Sequence, residues 1–551
     1  MLFKVELKIN GEHYKTLALA KPLSIKKIIE DIDLESCQIM TCKIDYEYAK
    51  LNDIISDDVR LDCICTNSSE GYLIYQNTLI FVMVKAFYNL FTQNLKFVIE
   101  HSVGAGVFGE VFEGYIITAE DVKKLKTEMQ KIIKLKLPIE KLTVSPIEAE
   151  KIFNKLNRDD VIKNLKFENI DIYKCEDYYD YFLSELADNT GILKNFDIVF
   201  HAPGIILRFP ERESLEINGN FSFPRKLFSA HQEHDKWLNI LQVHNVNSLN
   251  RAGNDYKLTE LIQIEEALHE KKIVDFANQI SHNNDVKIIL IAGPTSSGKT
   301  SFAKRLSIQL RVNGIFPELI EMDHYFLPRH LSPQKENGEY DFEALNAIDL
   351  DLLNADLQSV LKGKEVRIPK FNFITGKSEK SYQKIKLDKN EILIFEGIHG
   401  LNDNLTFSVP FNQKIKIYVS ALNNLNIDAH NRIPTTDSRK FRRIIRDYNF
   451  RGYSAEQTLE RWDSIRAGEG ENIYPFQENA DMMFNSTLTY ELGVLKKYIV
   501  PLLQDISKYS SVYLEAKRLL KMLSHFSNIP DDLVPSNSIL REFIGGSIFK
   551  Y

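Results

Sequence analysis

The chain has 551 residues, of which 44% are hydrophobic and 26% charged, and its formal net charge is −7. Composition and length are those of a globular protein of about three or four domains. The negative net charge argues against a nucleic-acid-binding surface that covers the whole chain, although a local basic patch stays compatible with it.

Three features predict a cytoplasmic protein that has no membrane partner. Five cysteines are an odd and sparse number for this length, which favours a reducing compartment over a disulfide framework. The N-terminus carries charge early, unlike a signal peptide. The most apolar stretch, Tyr72–Phe91, is interrupted by polar residues and predicts a buried helix, because a membrane span needs about 20 apolar residues.

The N-terminal half predicts two α+β modules. In residues 1–66, strands flank the turn Asn10-Gly11, and a short helix follows the capping residue Ser24. Residues 67–225 form the second region, with helices at Tyr72–Phe91, Ala119–Leu135 and Ser145–Leu156. Residues 226–285 are predicted to be a helical linker that contains the amphipathic helix Leu258–Ile280.

Residues 286–490 predict an α/β domain with a parallel sheet. The apolar run Val286–Ala292 is typical of a central strand that is buried on both faces. Strand and helix signals then alternate, which implies crossover helices: helix Thr300–Val312, strand Glu318–Met322, helix Asp349–Leu361, strand Glu391–Phe395 and strand Lys414–Val419. Residues 491–551 are predicted to be a C-terminal helical extension.

The first chemical motif follows directly on the strand Val286–Ala292. It is a phosphate-binding loop made of Gly293, Pro294, Thr295, Ser296, Ser297, Gly298, Lys299 and Thr300. Its glycines let backbone N–H groups surround phosphates, and the start of the next helix adds a positive end. Lys299 supplies a cation, and the Thr300 hydroxyl can bind Mg²⁺. The motif predicts ATP and Mg²⁺ as cofactors; an ordinary glycine turn is the alternative.

Two carboxylates at strand ends point to phosphoryl transfer. Asp323 follows the strand Glu318–Met322 at the edge of the sheet where ligands bind, so it could deprotonate an acceptor hydroxyl. Glu396 ends the strand Glu391–Phe395, which suits a Mg²⁺ ligand. A turn aspartate and a plain strand-end glutamate are the alternative interpretations.

A basic cluster within Asp437–Arg451 is the third motif. It contains Arg439, Arg442, Arg443, Arg446 and Arg451. Arg439, Arg442 or Arg443, and Arg446 recur at three- or four-residue spacing and share one helix face. Such a run is usually a solvated helix face, but beside a phosphate loop it favours a lid that brings guanidinium groups over the transferred phosphoryl group.

These motifs together resemble the uridine kinase and phosphoribulokinase family. The loop GPTSSGKTS, the segments Met322–Phe326 and Tyr340–Phe342, the strand ILIFEGIHGL and the lid DSRKFRRIIRDYNFRG follow one another in family order. The resemblance implies ATP-dependent transfer to the 5′-hydroxyl of a nucleoside, with Asp323 as base and Lys299, Arg443 and Arg446 beside it. It also implies metal ligation by Thr300 and Glu396, ATP binding by the loop, Ser301 and Arg451, and substrate binding by Asp341, Phe371 and Tyr325.

The acceptor side departs from the family pattern. Phe371 and Gly376 stand where the family has a tyrosine and a histidine around the pyrimidine, and Tyr453 replaces a lid arginine. A missing hydrogen-bonding group can change discrimination by orders of magnitude. A sugar that is not a nucleoside is therefore an alternative acceptor.

The N-terminal half resembles the editing region of threonyl-tRNA synthetase, with residues 1–66 like its TGS module, a β-grasp fold, and 67–225 like the domain that follows. This resemblance leaves open a second function, an ATP-sensing regulator that binds RNA or tRNA through the N-terminal half and has a weak or inactive kinase domain. Homo-oligomerisation also stays open.

Overall fold

The fold was analysed in a computed structural model. It describes residues 3–30, 38–92, 94–112, 114–158, 160–161, 168–219, 221–253, 257–334, 338, 340–372 and 375–551. Within these ranges, no helix combines the length and the apolar character that crossing a membrane requires.

The N-terminal module is a five-stranded mixed sheet with one short helix. Its strands follow the order β2-β1-β7-β4-β5. The predicted hairpin at Asn10-Gly11 is present, since β1 and β2 pair antiparallel on either side of it. The Ser24 hydroxyl caps the helix as predicted. The elements are β1 Phe3–Ile9, β2 Glu12–Leu19, β3 Leu23–Ser24, α1 Ile25–Ile29, β4 Ile39–Ile44, β5 Glu47–Ala49, β6 Ile54–Ile55 and β7 Val59–Cys65.

The second region is also mixed α and β. It comprises α2 Ser69–Leu90, β8 Lys96–Ser102, β9 Gly106–Phe112, α3 Ala119–Leu135, β10 Glu140–Val144, α4 Pro146–Lys155, β11 Ile170–Cys175, β12 Tyr178–Asp180, β13 Asp197–His201 and β14 Gly204–Arg208. The predicted apolar helix is α2, which lies in the core of this region. The three predicted helices are thus all present.

The cysteines agree only in part with the expectation of a reducing compartment. Cys42, Cys63 and Cys175 are buried free thiols, whereas Cys65 is disulfide-bonded. One such bond is not a framework that could hold a chain of 551 residues together. Cys37 lies outside the described residues.

Three helices lead into the C-terminal domain, namely α5 Arg225–Leu241, α6 Val246–Ala252 and α7 Lys257–Ser281. The sequence predicted helices here and treated them as a linker. In the structure, Ile273, Phe276 and Ile280 of α7 belong to the same hydrophobic cluster as the strand residue Ile289 and the helix residue Phe302. The segment is therefore part of the core that supports the phosphate loop.

The C-terminal domain is built on a five-stranded sheet in the order β16-β19-β15-β20-β21. All four neighbouring pairs are parallel, which confirms the predicted architecture. Its elements are β15 Ile288–Ala292, α8 Lys299–Val312, β16 Phe316–Glu321, α9 Leu350–Leu361, β17 Val366–Asn372, β18 Lys377–Ile385, β19 Glu391–Glu396, β20 Lys414–Ser420, α10 Thr435–Arg451, α11 Ala455–Glu460, α12 Trp462–Asn472 and β21 Met482–Asn485.

The C-terminal extension is helical, as predicted, with α13 Glu491–Gln504, α14 Tyr513–Ser524 and the short α15 Arg541–Ile544. It is not detached from the C-terminal domain. Leu495, Leu519 and Phe543 share the hydrophobic cluster of β15 and α8.

The two halves meet through a buried loop that joins β20 to α10. Residues 421–431 of this loop are all buried. The backbone of Ile99 donates to the carbonyl of Ala429 at 2.8 Å. Beside it, the Arg158 guanidinium contacts Asp180 at 3.2 Å and Asp428 at 3.3 Å. The loop that leads into α10 is therefore fixed by the N-terminal half.

Candidate functional site

The phosphate-binding loop has the backbone that its glycines predict. It connects β15 to α8, and Gly298 caps α8 with a φ of 84°. A Cβ on Gly293 would lie 1.9 Å from the carbonyl oxygen of Val419 in β20. A side chain at either position would strain the loop, because one site lacks space and the other needs left-handed backbone.

Lys299 folds back over the loop. Its Nζ donates to the carbonyl oxygens of Gly293 at 3.0 Å and Pro294 at 3.2 Å. Burial lowers the pKa of Lys299, and the negative charge of Glu396 opposes that shift. The ammonium group thus lies at the inner side of the loop, beside a carboxylate.

Glu396 and Asp323 lie at the carboxyl ends of neighbouring strands. Glu321 in β16 is in register with Glu396 in β19, and Asp323 follows two residues later in a short turn. Burial raises the pKa of Asp323 to about 6, and repulsion from Glu321 adds to it. Burial likewise raises the pKa of Glu396 to about 7, with Lys299 opposing. Both predicted carboxylates are therefore at the predicted edge of the sheet.

The donor set for a divalent cation is small. The Thr300 hydroxyl donates to Glu396 Oε1 at 2.9 Å. Hydroxyl and carboxylate oxygens suit Mg²⁺, which usually keeps several waters and takes few protein ligands. Across the described part of the chain, no group of three or more His, Cys, Asp or Glu side chains is arranged to hold a metal. The pair fits a cation that the substrate phosphates share.

The arginines of the lid helix differ in what they contact: Arg443 and Arg446 contact the phosphate loop, and Arg451 lies beside Asp447. Arg443 Nη1 and Arg446 Nη2 donate to the Thr295 hydroxyl at 2.7 Å and 3.1 Å. Arg451 is half exposed, lies 3.4 Å from Asp447, and its charge acts on the pKa of Asp323. The face that the spacing predicted does turn towards the phosphate loop.

Comparison with known proteins identifies the family of this domain. Residues 288–492 match the model of the phosphoribulokinase / uridine kinase family. A uridine kinase of Brevibacillus brevis is 30% identical over 198 residues, which are 36% of this chain and 83% of that protein. This chain belongs to the phosphoribulokinase / uridine kinase family.

Further relatives agree with this assignment. A uridine kinase of Staphylococcus epidermidis is 28% identical over 36% of this chain and 87% of its own length. One from Saccharomyces cerevisiae is 26% identical over 46% of this chain and 48% of its own. The family match begins at residue 288, so the predicted resemblance of the N-terminal half to a synthetase stays a prediction.

Glu469 is a site residue that the sequence did not predict, and Arg439 was predicted only as a member of the basic cluster. Glu469 Oε1 accepts the N–H of Thr295 at 3.0 Å and forms an ion pair with Arg439. Arg439 Nε donates to the Thr295 carbonyl at 2.9 Å. Although burial raises it, the charge of Arg439 holds the pKa of Glu469 below its usual value. The buried ion pair between Glu469 and Arg439 thus holds the phosphate loop in place at Thr295.

The acceptor side differs from the prediction at Tyr325. Its ring is 1% exposed within the hydrophobic cluster of the sheet, and its hydroxyl donates to Asp356 at 3.1 Å. Tyr325 is thus a core residue, and the prediction that it binds substrate is not supported by its position. Its aromatic ring fits the apolar space between β16 and α9 better than a solvent-facing pocket.

The other acceptor residues lie around the β17–β18 hairpin and the segment before α9. Phe371 is buried edge-on against Phe326, with ring centres 5.6 Å apart. Asp341 is half-buried, and its Oδ1 accepts the N–H of Glu343 at 3.1 Å. At Gly376, a Cβ would lie 2.9 Å from Arg329 Cβ and Nε. An arginine therefore fills the space beside the position where the family has a histidine. Phe373 and Ile374 lie outside the described residues.

Proposed function

We propose that the chain transfers the γ-phosphate of ATP to the 5′-hydroxyl of a nucleoside. The observation that carries the proposal is the convergence of opposite charges on one loop. Lys299 donates to the loop carbonyl of Gly293 at 3.0 Å, and Thr300 contacts Glu396 at 2.9 Å. Arg443 and Arg446 contact the loop at Thr295 at 2.7 Å and 3.1 Å. Asp323 lies at the neighbouring strand end. Phosphoryl transfer depends on such an arrangement of cations around an acceptor base.

On the donor side, the amides of residues 293–300 and the Lys299 ammonium bind the β- and γ-phosphates. Thr300 and Glu396 are the residues that would hold Mg²⁺, which when bound neutralises charge on the phosphates. Arg443 and Arg446 contact Thr295 at the mouth of the loop. Their guanidinium groups would stabilise negative charge on the transferred group.

On the acceptor side, Asp323 accepts the hydroxyl proton. Because its pKa is about 6, it is ionised at neutral pH and still basic enough to take a proton. Asp341 is the candidate partner for ribose hydroxyls. Phe371 and Arg329 would meet the base, so discrimination between bases should differ from that of relatives with a tyrosine and a histidine.

The test is an acceptor screen with the purified full-length chain, ATP and Mg²⁺, in which ADP release is measured against nucleosides, sugars and sugar phosphates. ADP release with one or more nucleosides supports the proposal. Turnover of a sugar alone would assign a different acceptor. Tight, salt-sensitive tRNA binding without any turnover would favour the RNA-binding alternative instead.

A further inference from the structure

The first turn of α8 carries a contact that the proposed phosphoryl transfer does not use. Glu542, on the short helix α15, places its Oε2 3.2 Å from the backbone nitrogen of Ser301 and 2.6 Å from its hydroxyl. The Tyr551 hydroxyl lies 2.8 Å from the same Ser301 oxygen. Both donors of Ser301 are thus taken up by side chains that are about 250 residues away in sequence.

These donors are ones that a nucleotide would need. Ser301 is the third residue of α8. Its N–H has no partner within the helix and points out of the positive end of the helix dipole. In a loop of this kind, such N–H groups bind phosphate oxygens. A carboxylate oxygen of Glu542 therefore occupies an anion position on the loop.

The charge of Glu542 also affects the pKa values of other residues in the site. Burial is the main reason why the pKa of Glu396 is raised to about 7, and repulsion from Glu542 adds to it. Glu542 likewise counteracts the burial that lowers the pKa of Lys299 and of Arg446. The negative charge of Glu542 therefore lies near the two cations that a phosphate would use, in addition to its direct contact with Ser301.

The surrounding segment is held against both the loop and the lid. A Cβ on Gly298 would lie 2.5 Å from Ile539, and Asn449 in α10 donates to the carbonyl of Phe543 at 3.3 Å. Gly545 and Gly546 follow α15 with φ of 84° and 73°, which turns the chain back towards Ser301. Glycines at both positions allow this end of the chain to adopt other conformations at little cost.

We propose that the Glu542 side chain and residues 545–551 are an intramolecular competitor of the nucleotide. Glu542, supported by Tyr551, holds the N–H and hydroxyl of Ser301 until a nucleotide phosphate displaces it. The inference rests on the proposed function only in that it takes a nucleoside triphosphate as the ligand of the loop. It adds a regulatory contact, because anything that draws this segment away would increase the affinity for the nucleotide.

The test is equilibrium binding of ATP with Mg²⁺ to the full-length protein, without any acceptor. Glu542→Ala should tighten ATP binding at least about tenfold, which corresponds to removing a charged hydrogen-bond competitor. Glu542→Gln, which keeps the size of the side chain, should shift affinity in the same direction by less. Asp532→Ala, at an exposed carboxylate of the same extension, should bind ATP like the wild type. Unchanged or weaker ATP binding by folded Glu542 variants would overturn the inference.

Hydrogen exchange of the unmodified protein gives a second readout that does not depend on any variant. Addition of ATP should speed up amide exchange in residues 545–551 as the segment is displaced. Slower exchange in that segment would mean that it closes over the nucleotide, which contradicts the inference. Tighter ATP binding by Glu542→Ala in a protein that phosphorylates no acceptor would support this inference and refute the proposed function.

Discussion

At the scale of single residues, Asp323 sets the pH range of the proposed reaction. Its pKa is raised to about 6 by burial, and only the ionised form can accept a proton. We therefore expect kcat/KM to fall as the pH drops from about 7 through 6, where Glu396 and then Asp323 become protonated, and to level off above that range. Asp323→Asn should lower kcat by about 10²–10⁴-fold while ATP affinity is kept. Glu318→Gln, at an exposed carboxylate of the strand that precedes Asp323, is the control. Full turnover by Asp323→Asn would exclude it as the base.

Glu469 is expected to matter for stability as well as for the shape of the loop. Glu469→Gln leaves Arg439 buried without a counter-charge, which should cost about 3–5 kcal/mol of unfolding free energy. Because the folded-state pKa of Glu469 is below the usual 4.5, its contribution is present above that value and is lost as the pH falls below it. Denaturant unfolding at neutral and acid pH measures both effects, with Glu471→Gln, at an exposed position of the same helix, as the control. A cost below about 0.5 kcal/mol would contradict the role.

The sequence predicts the local motifs of this site much better than the contacts between residues that are far apart in the chain. Gly293, Lys299 and Thr300 are recognisable because fixed spacing within one turn encodes the loop conformation. Asp323 and Glu396 are recognisable because strand ends converge at one edge. Glu469 pairs with Arg439 across 30 residues, and no spacing rule connects a helix in a lid to a helix behind it. Glu542, at 241 residues from Ser301, is out of reach for the same reason.

At the scale of elements, periodicity predicted the long helices and the central strands of the parallel sheet, but not what each one packs against. The apolar face of α7 is evident in the sequence, yet only the structure places Phe276 beside Phe302 of α8, with ring centres 6.2 Å apart, and Phe484 of β21, at 6.4 Å. A helix between two domains and a helix of the core carry the same pattern. The short turns that place Asp341 and Arg329 have no periodic signal at all.

Phe276 provides a test of whether α7 is a core helix or a linker. Phe276→Ala removes a side chain that is 3% exposed and should lower the unfolding free energy by about 3–5 kcal/mol. Urea unfolding of the full chain measures the change, and Gln279→Ala, at an exposed position of the same helix, should leave it within about 0.5 kcal/mol. Equal effects of the two substitutions would indicate that α7 does not support the phosphate-loop domain.

At the scale of the whole molecule, the junction between the halves is the feature that the sequence does not encode locally. Arg158 comes from the N-terminal half, and Asp428 comes from the loop before α10. Arg158 also pairs with Asp160 and Asp180 of its own half, whereas the buried carboxylate of Asp428 has Arg158 as its counter-charge only when the halves are docked. An unpaired buried charge costs several kcal/mol. Docking therefore fixes the loop from which the lid helix starts, so the N-terminal half can influence the position of the lid arginines.

Exchange of a single amide can test this docking. The N–H of Ile99 donates to Ala429 across the junction, so it exchanges only when the halves separate locally. Arg158→Leu leaves Asp180 and Asp428 without their counter-charge and should lower the opening free energy of that amide by about 3–5 kcal/mol. Arg212→Ala, at an arginine whose side chain is 43% exposed, should leave the protection of Ile99 unchanged. Unaltered protection of Ile99 in Arg158→Leu would mean that the halves are held together without the buried charges. The Arg158 ion pairs would then not be what connects the N-terminal half to the lid.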